Sequence, residues 1–200
     1  MKIGVLAVQG AFIEHIKMID SLAKQQDKQI ECIEIRQKKD LDGIDGIILP
    51  GGESTVQGQL FKKLDMFDTI KSMIENGLPV LATCAGLILL ASKLENDETC
   101  HLGTLPVTVK RNAYGRQLGS FETISSIDEI HDYPLVFIRA PYITKVSSDA
   151  KVIAIVDGNI VGVEYKNQIG LAFHPEMTND NRIHEYFLKK VQTNLMEQGH

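Results

Sequence analysis

The chain opens on a nearly unbroken apolar run from Lys2 to Val8, which predicts a strand buried on both faces of a parallel sheet. Beyond Gln9-Gly10 the spacing changes. Phe12, Ile16, Ile19, Leu22 and Ala23 recur at helical intervals and give a helix with one core face. Ile30 to Ile35 alternates apolar and polar residues, as a strand near a sheet edge does. Gly46 to Leu49 reads as another buried strand, stopped by Pro50-Gly51-Gly52. Val56 to Asn76 has helical spacing with a break near Leu64-Asp65, and Gly77-Leu78-Pro79 resets the chain into the strand Val80-Leu81-Ala82. The middle of the chain is different. Leu105–Lys110, Phe121–Ser125 and Leu135–Ile138 predict short strands between polar turns. Val152–Val156, Ile160–Tyr165 and Ile169–Phe173 follow, the first two joined by the hairpin signal Asp157-Gly158-Asn159. Ile183, Phe187, Val191 and Leu195 predict a C-terminal helix.

Strand and helix alternate at both ends of the chain, which predicts an α/β fold: a three-layer sandwich around a mainly parallel central sheet. No repeat, low-complexity tract or linker interrupts it, so residues 1–200 are expected to form a single domain. That length can bury a core without disulfides or metals.

Composition narrows the function classes. The net charge is −5, and the one basic cluster, Arg36 to Lys39, is too short for a nucleic-acid surface. No apolar run is long enough to span a membrane, and the apolar start lacks the flanks of a secretion signal. Three cysteines, Cys32, Cys84 and Cys100, are an odd count that argues against a disulfide framework. A cytoplasmic protein with reduced thiols is expected. Cys100-His101 lacks the spacing of a metal site, so no metal and no cofactor are expected. Cys32 reads as a strand residue, and His15, His131, His184 and His200 as ordinary surface or satisfied histidines.

The chemistry concentrates in three places. In Pro79-Val80-Leu81-Ala82-Thr83-Cys84-Ala85-Gly86-Leu87, a buried strand runs into a cysteine and a helix follows at once. Small residues two before (Ala82) and two after (Gly86) fit a nucleophile elbow, whose sharp turn lifts the side chain above the sheet. The following helix start favours a thiolate, and the Ala85 N–H is a first oxyanion donor. A buried structural cysteine is the alternative at this position. The second place is His174-Pro175-Glu176, which leaves the end of a strand. In an extended segment these two side chains share one side, so the carboxylate can orient the imidazole. A surface loop leading into the last helix is the alternative. The third is Pro50-Gly51-Gly52-Glu53-Ser54-Thr55, a glycine turn that can aim N–H groups at an anion. It lacks the Gly-Lys-Ser/Thr ending of a phosphate loop, so a second oxyanion donor at Gly52 fits better. Ser54 or Thr55 can also cap a helix there.

Together these residues resemble the class I glutamine amidotransferases, a flavodoxin-like fold with a Cys–His–Glu triad in that chain order. Val8-Gln9-Gly10-Ala11-Phe12 with Glu14-His15, Arg111-Asn112-Ala113-Tyr114-Gly115-Arg116-Gln117 and Phe137-Ile138-Arg139-Ala140-Pro141 narrow the likeness. They are similar to the family of glutaminase subunits of pyridoxal 5′-phosphate synthases. The resemblance implies that Cys84, His174 and Glu176 hydrolyse glutamine to glutamate and ammonia. It implies that Gly52, Glu53, Ser54, Arg111, Ile138 and Arg139 bind the substrate. The implied partner is a (β/α)8-barrel synthase subunit in a large hetero-oligomer, which would take the ammonia together with a pentose 5-phosphate and glyceraldehyde 3-phosphate. Gln9–His15 and the glycine turn are the implied docking segments. Two arginines and a glutamate suit the α-carboxylate and α-ammonium of glutamine. Ala82 departs from the family pattern, which usually has glycine there.

Overall fold

The computed structural model describes residues 1–115 and 119–199. Arg116 and Gln117 of the arginine-rich motif, and His200, lie outside the described residues.

The N-terminal part follows the periodicity of the chain closely: β1 (Lys2–Leu6), α1 (Phe12–Gln25), β2 (Glu31–Ile35), β3 (Gly46–Leu49), α2 (Ser54–Lys63), α3 (Phe67–Glu75) and β4 (Val80–Thr83). The break between α2 and α3 falls at Leu64–Met66, where Asp65 takes a left-handed backbone. A six-residue helix, α4 (Ala85–Leu90), follows β4. Then come β5 (Ala91–Leu94), β6 (Leu105–Lys110), β7 (Ser120–Ile127), β8 (Ile130–Ile138), β9 (Tyr142–Val146), β10 (Lys151–Val156), β11 (Asn159–Tyr165), β12 (Gln168–Leu171) and α5 (Arg182–Glu197). Neither β5 nor β9 is signalled by the hydrophobic pattern, and β7 and β8 are longer than it suggests. β8 begins on Ile130 and the polar His131-Asp132 and contains Pro134, which a strand in a two-stranded ribbon tolerates.

The main sheet runs β2-β1-β3-β4-β12-β11-β9-β6-β5, with β10 paired to β11, while β7 and β8 form a separate ribbon. From β2 to β12 every pairing is parallel. This is the doubly wound half. The chain moves one way along the sheet through α1 and the other way through α2 and α3. Right-handed crossovers therefore place these helices on opposite faces. α5 packs with α1, and Val191 and Phe187 of α5 close on the bare backbone of Gly46 in β3.

The reversal of strand order lies between β1 and β3, and such a switch point opens a crevice at the carboxyl ends of the strands. The loops after β1, β3, β4 and β12 all emerge there. These loops carry Gln9–Ala11, Pro50–Glu53, Cys84 and His174–Glu176. The core beneath them is continuous and includes Ile3, Leu6, Ile47, Leu49, Leu81, Leu87 and Leu171. No helix among the described residues is long and apolar enough to cross a membrane.

Candidate active site

Cys84 sits at the joint between β4 and α4 with φ +49° and ψ −103°. A non-glycine residue in this region is strained by about 1–3 kcal/mol and persists only where its surroundings impose it. Here they do. The Cys84 N–H donates to the Leu171 carbonyl at 2.8 Å, which fixes the joint to β12. The small neighbours have concrete reasons. A Cβ on Gly86 would lie 2.2 Å from the Leu49 carbonyl oxygen, and one on Gly170, the β12 neighbour of Ala82, would strike Leu105 and Leu87. The methyl of Ala82 is fully buried in the core, and the elbow forms with it in place. α4 is too short to carry much dipole, so its start contributes N–H groups more than field.

The His174 imidazole is buried, and its Nδ1 lies 2.6 Å from Oε1 of a fully buried Glu176 carboxylate. The expected extended geometry does not occur. Pro175–Met177 forms a 3-10 turn, closed by the Met177 N–H on the His174 carbonyl at 3.2 Å, with proline in the first turn where its missing N–H costs nothing. The turn, rather than strand alternation, folds the carboxylate under the imidazole. The His174 N–H donates to Val136 of β8, so the ribbon also anchors the segment. Burial disfavours the imidazolium, but the adjacent Cys84 sulfur and the hydrogen bond and charge of Glu176 outweigh it, and the His174 pKa rises to about 10. The imidazole therefore readily takes up a proton from its neighbourhood.

Gly51 lies against both groups. A Cβ there would come within 2.5 Å of His174 Cε1 and 3.6 Å of the Cys84 Cβ. Its carbonyl accepts from the Ala11 N–H at 3.0 Å. The Glu53 N–H donates to Gln9 Oε1 at 2.9 Å, and Gln57 Nε2 donates to the Gln9 and Pro50 carbonyls. The glycine turn is thus latched to the loop after β1. Glu53, not Ser54 or Thr55, is the N-cap of α2, accepting from the Val56 N–H at 3.4 Å.

Ser54 and Thr55 instead hold the guanidinium of Arg111. Nη2 donates to both hydroxyls, at 3.0 Å for Thr55 Oγ1, while Nη1 reaches Asp97 Oδ2 at 3.3 Å. Three fixed acceptors set the plane of the guanidinium. Arg139, at the end of β8, is exposed on a left-handed backbone with φ +45°.

All these groups meet. One cavity of about 640 Å³ is lined by Cys84, Ala85, His174, Gly51, Gly52, Glu53, Ser54, Arg111, Ile138 and Arg139, along with Ala11, Thr55, Ile88, Asn112 and Met177. Glu176 lies behind His174. The expected nucleophile, base, N–H donors and substrate-binding residues therefore share one space. A buried thiol, an oriented imidazole and anion-binding groups can perform acyl transfer from an amide.

A profile of the SNO glutamine amidotransferase family matches residues 5–193. This chain belongs to that family. Among family relatives, the pyridoxal 5′-phosphate synthase subunit PdxT of Desulfitobacterium hafniense (strain DSM 10664 / DCB-2) is 56% identical over 192 residues, covering 96% of this chain and 94% of the relative. PdxT of Methanocorpusculum labreanum is 49% identical, with 96% and 98% covered. A solved structure described as a glutamine amidotransferase superposes with a TM-score of 0.88 at 37% identity, over 95% of this chain and 98% of that one.

Within this family member the thiols are not equivalent. Burial, then the charges of Asp20 and Glu34, push the Cys32 thiol in β2 up to about 12, which makes it a poor nucleophile. Cys100 is exposed, away from the cavity that Cys84 lines.

Asp97 and Gln57 belong to none of the sequence motifs, yet Asp97 joins Thr55 in orienting Arg111, and Gln57 joins Gln9 in bracing the glycine turn. Of the surface and the satisfied alternatives, His15 and His184 take the second, as buried and hydrogen-bonded histidines. Both are fully buried, His15 next to Glu176 and His184 next to His15. Their positions held a usable signal, because His15 shares the core face of α1 with Ile19 and Leu22, and His184 lies between Ile183 and Phe187 on the buried face of α5.

Proposed function

We propose that this chain is a glutaminase that supplies ammonia to a synthase making pyridoxal 5′-phosphate, with Cys84, His174 and Glu176 as its triad. The observation that carries the reading is the single cavity that holds a strained cysteine, a carboxylate-backed histidine and an oriented arginine.

Glutamine enters with its α-carboxylate toward Arg111 and its α-ammonium toward Glu53 and nearby carbonyls, with Ser54, Ile138 and Arg139 completing the contact surface. His174 takes the thiol proton, and the sulfur adds to the side-chain carbonyl carbon. The oxyanion is held by the N–H groups of Gly52 and Ala85. The C–N bond breaks as His174 returns the proton to nitrogen, and ammonia leaves a glutamyl thioester. His174 then deprotonates a water, which attacks the thioester carbon. Glutamate departs and the thiol is restored. Glu176 keeps the imidazole in the tautomer that can accept at Nε2.

Ammonia is a nucleophile only while unprotonated, so it must pass to its acceptor sheltered from water. The acceptor in this reading is a (β/α)8-barrel synthase subunit docked over Gln9–His15 and the glycine turn within a large hetero-oligomer. Ile13 of that segment is half exposed. The chain works as one domain in the cytoplasm, in keeping with its three free cysteines. Docking there also offers a switch. The bond from Ala11 to the Gly51 carbonyl fixes the peptide that carries the Gly52 N–H, so moving the loop after β1 reorients the donor.

The test combines this chain with the barrel subunit of its own cell and follows pyridoxal 5′-phosphate formation. Glutamine should support product with the native chain, whereas the Cys84→Ala complex should make product only from added ammonium salt. The isolated chain should hydrolyse glutamine about tenfold or more slowly than the complex, as expected if the donor is competent in a minor fraction of molecules. Equal rates would sink the switch. Absence of product with glutamine would sink the assignment of the pathway.

A further inference from the structure

Behind the triad, polar groups continue into a core that is otherwise apolar. Glu176 uses Oε1 for His174, and its Oε2 lies 3.5 Å from His15 Nε2. That same nitrogen is 3.3 Å from the Thr83 hydroxyl of β4, one residue before Cys84. On its other side, His15 Nδ1 lies 2.8 Å from His184 Nε2. His15, Thr83 and His184 have no exposed surface. α1, β4, α5 and the turn at Glu176 each contribute one member.

Burying a carboxylate beside two imidazoles is costly unless their protons are arranged. Burial first, then the proximity of His184 and His174, hold His15 well below the usual histidine pKa, and burial holds His184 down at about 3. Each is neutral and carries one N–H. Two arrangements are open. If His15 donated to His184, its bare Nε2 lone pair would face a carboxylate oxygen, and only Thr83 could relieve the repulsion. If His184 donates to His15 Nδ1, then His15 Nε2–H faces Glu176 Oε2. The second arrangement is favoured, because a donor to an ionised acceptor is worth roughly twice a neutral one. It leaves His184 Nδ1 as a lone pair without a partner, consistent with the unpaired state of that atom. An orphaned acceptor is more readily tolerated than a stranded N–H.

We propose that His15, held by His184, is a positioning residue for the hydrolysis: its Nε2–H fixes the second oxygen of Glu176, so that the carboxylate offers its first oxygen to His174 in one orientation. Among the described residues Glu176 Oε2 has no other hydrogen-bond partner, and at 3.5 Å the His15 contact lies at the edge of hydrogen bonding, so that a small turn of the ring from Thr83 closes it. The groups that face Glu176 are His174 from its own segment, His15 from α1 and Tyr133 from β8, while uncharged Thr83 faces His15. The inference rests on the triad assignment above.

The test uses the assembled complex with His15→Leu, His15→Gln and His184→Leu, with Glu176→Gln measured alongside. His15→Leu removes the donor. It should lower kcat by about 10- to 100-fold, the range typical of lost outer partners, and leave KM within about twofold. The limb of the kcat profile that reports His174 should move to lower pH, because a carboxylate free to turn sustains the raised His174 pKa less well. Glutamine can place an N–H near the Nε2 position, so His15→Gln should recover most of kcat and the native limb. His184→Leu leaves His15 in place but frees it, and should shift the same limb by less. An unchanged kcat and profile in His15→Leu and His184→Leu would overturn the proposal. So would a loss in both His15 variants that tracks only a lowered Tm, without displacement of the limb. A silent Glu176→Gln would instead overturn the triad. A damaging Glu176→Gln beside silent histidine variants overturns the role of His15 alone.

Discussion

Cys84→Ala is expected to lower glutamine hydrolysis by at least about 10⁴-fold, the scale on which removal of a covalent nucleophile acts. No other thiol among the described residues lines the cavity. Cys32 lies in β2 with its thiol pushed up to about 12, and Cys100 is not part of the cavity lining. The effect should be confined to chemistry. The Cys84 sulfur makes only a long contact to the Ile138 carbonyl, at 3.9 Å, and alanine can hold the same joint between β4 and α4. Removing one buried sulfur should therefore cost about 1 kcal/mol at most, a fall in Tm of about 2–4 °C for a chain of this size. Glutamine should still bind, because Arg111 keeps its contacts to Ser54, Thr55 and Asp97. Calorimetric titration with glutamine would separate this outcome from a collapsed site.

Glu176→Gln is expected to lower kcat by about 10³- to 10⁴-fold, with much less change in KM. The substitution is nearly isosteric, so packing behind His174 survives. The electronics do not. An amide that turns its NH2 toward His174 Nδ1 forces the imidazole proton onto Nε2, where it blocks acceptance of the thiol proton. An amide that turns its oxygen supplies no charge to stabilise the imidazolium. Stability against pH offers a second readout. The folded pKa of His174 lies above its ordinary value of 6.5, at about 10. Its proton-linked stabilisation is therefore complete below pH 6.5 and lost as the pH rises through about 10. Glu176→Gln removes much of the cause, so Tm should fall less steeply with pH across that window than in the native chain.

The elements that shape the site were largely legible because each has a strong local signature. β1, β3 and β4 are short apolar runs, and all three lie inside the parallel half of the sheet. The elbow could be read because Gly86 leaves room for the Leu49 carbonyl, a constraint that shows directly as a missing side chain. Strands β5 and β9 were hidden for a different reason. Ala91–Leu94 follows α4 with no intervening turn residue, and two of its four side chains are exposed. Tyr142–Val146 is held by partners far away in the chain, β6 and β11. Tertiary pairing decides such segments and local pattern does not. The same distinction holds in the site. His174 and Glu176 are two residues apart, so their partnership was legible even though a 3-10 turn, rather than an extended strand, brings them together. Asp97 meets Arg111 only because β5 and β6 are neighbours. His15 and His184, 169 residues apart, meet only where α1 and α5 pack. No spacing rule reaches contacts of that range.

The central claim is that Cys84 is a glutamine-directed nucleophile. The direct measurement treats the native chain, within its complex, with an electrophilic glutamine analogue and locates the adduct by peptide mass spectrometry. One adduct on Cys84 is predicted, suppressed by excess glutamine, with Cys32 unmodified and any reaction at Cys100 insensitive to glutamine. Modification that spares Cys84, or labelling of Cys84 that glutamine leaves unchanged, would contradict the account.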